Sequence, residues 1–240
     1  MKVSYSLIFL LFLLGSCDLK SSNQADSSSH ELVKIYYDNG SIKGEFRQDE
    51  DGARHGEAKT YFPSGKLKTE FTYSHGIKER SAQFYQNGQM EMEFFYVNGK
   101  KEGTRTKYWE NGQVQSILNY KNNEASRELE EFNSKGVKIS KYPKLIVKEI
   151  DNLMKTGEYI IEVYFDKIPG RGTYYQGKLN DGYFHDGLSE IKKVNGIGRI
   201  VYKPMPGSFL MKNLSFVGKY KTAYGNYYID DAELNLALDF

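Results

Sequence analysis

The sequence predicts an all-β protein, an elongated antiparallel meander of β-hairpin repeats followed by a small β-sandwich. Three observations predict it. Twenty tyrosines lift the aromatic share to 15%, and tyrosine suits a pleated strand. Twenty-three glycines against five prolines supply tight turns. Gly40, Gly65, Gly88, Gly112 and Gly136 recur at intervals of 25, 23, 24 and 24 residues, the signature of a repeat.

Residues 1–17, "MKVSYSLIFLLFLLGSC", read apart from the rest. Lys2 precedes an uncharged apolar run, Leu7 to Leu14, about half the roughly 20 residues a spanning helix needs, so it reads as a signal-peptide core. Its ending, Leu14-Gly15-Ser16-Cys17, resembles the cleavage box of bacterial lipoproteins. That resemblance implies lipidation of Cys17, a membrane anchor and a place in the cell envelope. Cys17 is the single cysteine, so no internal disulfide forms. Residues 18–32 are serine-rich and read as a flexible tether.

Residues 33–140 carry the repeat. "YYDNG" (36–40), "YFPSG" (61–65), "FYQNG" (84–88) and "YWENG" (108–112) align, and "FNSKG" (132–136) is a degraded fifth copy. A second turn follows 11 or 12 residues on, at Gly52, Gly76, Gly99 and Asn123. Between the turns, Leu67, Phe71 and Tyr73 recur as Met90, Phe94 and Tyr96, then as Val114, Leu118 and Tyr120, alternating with mostly polar residues. That is the pattern of half-buried strands. The Asn-Gly pairs predict hairpins closed by type I′ turns. Stretches 61–76, 84–103 and 108–123 resemble MORN repeats in their short bacterial, antitoxin-like variant. The resemblance implies an elongated β scaffold used in membrane association or protein binding, with no single activity.

Residues 141–240 lose the period but keep short strand-like runs, at 144–150, 158–165, 171–176, 189–194, 196–203, 207–216, 225–230 and 232–238, which predict a sandwich.

Chemistry-bearing groups are sparse. His30 lies in the tether, and His55, His75 and His185 fall at predicted turns without metal-ligand spacing, so neither metal nor cofactor is expected. Glu91/Glu93 and Glu130/Glu131 read as solvated charge. The loop "NDGYFHDG" (180–187) places Asp181, His185 and Asp186 together, a candidate ligand loop or simply a turn. Residues 31–140 hold 17 basic and 17 acidic side chains and residues 141–240 hold 14 and 12, which excludes electrostatic binding of nucleic acid. The paired aromatics Tyr61-Phe62, Phe84-Tyr85 and Tyr108-Trp109 predict one row packed inside and one row exposed to a protein or glycan partner. The resulting expectation is a non-enzymatic recognition scaffold on a lipid anchor. The alternatives are a carbohydrate-binding or enzymatic C-terminal module, and an antitoxin-like protein neutralising a toxin.

Overall fold

The computed structural model describes residues 31–239. Cys17, the signal segment 1–17 and the tether up to residue 30 lie outside the described residues. The first strand begins at Glu31, inside the segment read as a tether.

Eleven strands form one antiparallel sheet: β1 (Glu31–Tyr36), β2 (Ile42–Gln48), β3 (Arg54–Tyr61), β4 (Leu67–Ser74), β5 (Ile77–Phe84), β6 (Met90–Val97), β7 (Lys100–Lys101), β8 (Gly103–Tyr108), β9 (Val114–Lys121), β10 (Glu124–Ala125) and β11 (Glu130–Glu131). The long strands pair in sequence order, as the local period requires, while the two-residue strands β7 and β11 pair beside that path with β6 and β9.

The turns divide into two classes, and this corrects the expected turn type. At Gly40, Gly65, Gly88 and Gly112 only the glycine has positive φ, between 81° and 92°. Its N–H donates to the carbonyl three residues back, as from Gly112 to Trp109 at 2.8 Å. These are three-residue loops with a left-handed glycine, not type I′ turns. Asn39, Asn87 and Asn111 serve there through their side chains, whose Oδ1 accepts the N–H two residues on. True type I′ geometry belongs to the later second turns, where both central residues are left-handed: His75-Gly76, Asn98-Gly99 and Asn122-Asn123, whereas the second turn at Gly52 is again a three-residue loop with only its glycine left-handed.

The C-terminal strands are β12 (Leu145–Asn152), β13 (Glu158–Phe165), β14 (Thr173–Gln176), β15 (Ser189–Glu190), β16 (Lys193–Val194), β17 (Ile197–Tyr202), β18 (Phe209–Lys221) and β19 (Tyr227–Asp239), with a one-turn helix α1 (Leu153–Thr156) after β12. They form two four-stranded sheets, ordered β12-β13-β17-β16 and β15-β14-β18-β19. Ile161, Val163 and Phe165 of the first sheet and Tyr174, Phe216 and Leu236 of the second share one core, each at most 1% exposed. The runs 225–230 and 232–238 are one continuous 13-residue strand, β19. Asp230 and Asp231 look like a break but are occupied: Asp230 accepts the N–H of Leu145 at 2.9 Å, and Asp231 accepts from Arg127 at 2.5 Å.

Candidate functional site

One face of the repeat sheet carries a ladder of cations and rings. Arg54 lies over Phe46 and Tyr73, 4.7 and 5.6 Å from the ring centres. Lys78 lies over Phe71 and Tyr96, at 4.7 and 5.3 Å. Lys101 lies over Phe94 and Tyr120, at 4.5 and 5.4 Å. Each cation thus joins the ring of its own unit to the ring of the next, a cation–π contact repeated at every step. On the opposite face Arg80 bridges Glu70 and Glu93, at 2.7 and 2.6 Å.

The paired aromatics stitch the turn edge of the sheet. The hydroxyl of Tyr37 donates to the carbonyl of Tyr61, that of Tyr85 to Tyr108, and the indole Nε1 of Trp109 to Phe132, at 2.8 to 3.0 Å. The second aromatic of one unit therefore holds the backbone of the next. Tyr61 donates to Glu45 at 2.6 Å, and burial together with that carboxylate pushes the phenol up to about 12. Phe62 lies under Lys68. Tyr61, Phe62, Phe84, Tyr85, Tyr108 and Trp109 are all half-buried, so the expected split into an inside row and an exposed row does not occur.

The ladder ends where its next cation position is filled by Ala125. The C-terminal body docks there. Phe184 N–H donates to Ala125, Arg127 N–H donates to Gly182, and Ser126 bridges Tyr183. Ala125 packs against Leu188, Val217 and Ile229. The loop 180–187 is thus a docking loop, and the structure does not converge its polar residues. Asp181 pairs outward with Lys121 at 3.2 Å. His185 is held locally, between the carbonyl of Lys178 and the N–H of Gly187. Asp186 faces a different cleft.

At the other edge, the tip of the β18–β19 hairpin meets the fourth unit. Trp109 and Tyr224 meet edge to face, 5.1 Å between ring centres. Beneath them lies a buried polar lock. Arg105 donates to Asn226 Oδ1 at 2.7 Å and to Ser116 at 3.1 Å. Asn226 and Thr222 both donate to Glu131 Oε1 at 2.6 Å, and Tyr142 donates to Oε2 at 3.2 Å. Arg105 is 8% exposed, Glu131 and Asn226 2% each. Glu131, read as solvated charge, is therefore a buried acceptor. Burial pushes the Arg105 guanidinium down, against the pull of Tyr120 and Glu131. The partners that join the two bodies, Arg105 with Asn226 and Glu131 with Thr222 and Asn226, are separated by 91 to 121 residues and give no local signal, so sequence reading missed the lock.

Between the docking loop and the last repeat lies a cleft of about 480 Å³, within the size range of ligand pockets. Lys101, Tyr120, Phe184, Asp186, Lys219 and Tyr227 line it. Lys219 sits 3.9 Å above the ring of Phe184 and 5.0 Å from that of Tyr227. Burial lowers both amines, opposed at Lys219 by Asp186 and Glu190 and reinforced at Lys101 by the charges of Arg105 and Lys78. The site is a cationic cleft with aromatic walls.

Comparison with known proteins agrees with the central sheet. Residues 54–75, 82–98 and 101–122 match the family described as MORN repeat variant. The first hairpin and the degraded fifth copy fall outside the match, although their strands continue the same sheet. No curated protein matches the chain. Among solved structures, the crystal structure of a GtfA/B complex bound to UDP and GlcNAc is similar at 10% identity with a TM-score of 0.20. It covers 59% of this chain, which spans only 23% of that one. Likeness at that level carries no argument. MORN repeats are in general non-enzymatic and point to protein interaction or membrane binding. Residues 54–122 thus carry three adjacent MORN-type copies, and the hairpin meander they build is a MORN-repeat array.

Proposed function

We propose that the protein is a non-enzymatic recognition scaffold, held at the cell envelope by a lipid on Cys17, and that it binds a protein partner through the cleft at the end of the repeat array. The observation that carries this is the pairing of Lys101 with Tyr120, and of Lys219 with Phe184 and Tyr227, inside that cleft. Such a surface favours an acidic peptide segment: carboxylates meet the amines while aliphatic stems lie on Tyr120 and Tyr227. The paired aromatics of the repeat, occupied in joining units, are left as scaffold. A second reading, an acidic glycan, is favoured by the same rings, since a sugar face stacks on tyrosine.

The test is a binding screen of the full chain against acidic peptides and acidic glycans, beside the Lys219→Glu variant. Retention of an acidic peptide by the wild type and its loss in Lys219→Glu is the expected result. Retention of glycans alone replaces the ligand class, and equal retention by both proteins removes the cleft from the reading. Membrane fractionation of Cys17→Ser, which should release the chain, checks the anchor separately.

A further inference from the structure

Asp49, His55 and His75 lie apart in sequence but meet at the edge of the sheet that carries the second turns. One donor atom from each falls within 4.8 Å of the others. Asp49 flanks the turn at Gly52, His55 follows it on β3, and His75 is the first of the two left-handed residues of the turn at Gly76, with φ of 44°. His75 Nδ1 is 3.1 Å from Asp49 Oδ2. The two imidazoles are 4.8 Å apart between centres at 64°.

The repeat supplies its own control. Matched by place in the hairpin (the residue that enters each second turn, the residue three past its glycine, and the first central residue of the following turn), the equivalents of Asp49, His55 and His75 are Ser74, Glu79 and Asn98 one unit on, and Val97, Glu102 and Asn122 two units on. At two of these three steps the middle position reaches the next turn: Glu102 accepts the N–H of Asn122 at 2.8 Å, as His55 Nδ1 accepts that of His75 at 3.4 Å. Turn-to-turn linkage therefore needs no histidine. What sets the first step apart is that all three positions carry metal donors.

We propose that Asp49, His55 and His75 bind a divalent cation of the zinc class. Two imidazoles and one carboxylate are a ligand set that zinc accepts. Tetrahedral zinc, with bonds near 2.0–2.1 Å, places ligand atoms about 3.4 Å apart. The Asp49–His75 separation already stands near that edge length. The His75 side chain is 72% exposed, so it is free to swing the remaining distance. The Asp49 side chain is 8% exposed and its other oxygen accepts the Ala53 N–H at 2.8 Å, an orienting contact of the kind that metal-binding carboxylates use. Three protein ligands leave the fourth position to water.

The test is titration of the full chain with Zn²⁺ by calorimetry, and with Co²⁺ followed by visible absorption. The variants His75→Asn and Asp49→Ser install residues that neighbouring units carry at the same positions, so the fold is preserved. One equivalent of Zn²⁺, bound more than about tenfold more weakly by each variant and unchanged in His185→Ala, is expected, with tetrahedral Co²⁺ bands in the wild type. Absence of stoichiometric binding, or equal affinity in His75→Asn, overturns the proposal.

Discussion

The repeat sheet and the C-terminal sandwich cover their apolar strands by different means. In the sheet the buried apolar side chains are scattered, with Ala58, Tyr73, Ala82 and Leu118 between strands whose other rings stay half-exposed. Its cohesion comes from small contacts repeated once per unit: a cation over two rings, a phenol or indole on the next backbone, an arginine between two glutamates. In the sandwich, two sheets bury Ile161, Val163, Phe165, Tyr174 and Phe216 completely. The first design adds stability step by step between neighbours, while the second stands or falls as one core.

The sharpest way to break that comparison is Phe165→Ala. Phe165 lies 5.0 Å from Tyr220 and 6.0 Å from Tyr174 between ring centres, and truncating a buried phenylalanine costs about 3–5 kcal/mol. Hydrogen exchange should show lost protection across β12–β19 while β2–β6 keep theirs. Equal loss in both regions would mean that the molecule unfolds as one body and that the distinction fails.

The next largest effect belongs to the lock that joins the two. Arg105→Met leaves Glu131 buried without its cationic counterpart and should cost about 3 kcal/mol, since an orphaned buried charge is expensive. The double variant Arg105→Met/Glu131→Met removes both charges and should recover most of that loss in denaturant melts. A double variant as unstable as the sum of the single ones would show that Arg105 and Glu131 are not coupled through Asn226.

How much of this was legible follows from the same division. The meander was readable because its contacts repeat every 23 or 24 residues, so a local period reveals them. The turn class was not, since Asn-Gly serves both a type I′ turn and a loop in which only glycine is left-handed. Strand β19 was split at Asp230-Asp231 because the partners that occupy those carboxylates, Leu145 and Arg127, are remote in sequence. The lock and the cleft were invisible for that reason, and His55 and His75, 20 residues apart, became neighbours only through pairing across strands. The one trace of the junction was a departure: Asn123 in place of glycine marks the unit on which the second body sits.

Trp109 gives the finest test, because it belongs to both regions. Its indole donates to Phe132 within the array, and its ring meets Tyr224 of the sandwich hairpin. The hydrogen bond is worth about 1 kcal/mol and the edge-to-face contact about 0.5–1.5 kcal/mol. Trp109→Ala should therefore cost about 2 kcal/mol in a denaturant melt, and Trp109→Phe, which keeps a ring but lacks the donor, about half of that. If Trp109→Phe costs as much as Trp109→Ala, the bond along the array carries the residue and the tryptophan is a repeat element. If Trp109→Phe is neutral while Trp109→Ala is not, the ring against Tyr224 carries it, and its place in the fourth unit follows from the docking of the second body.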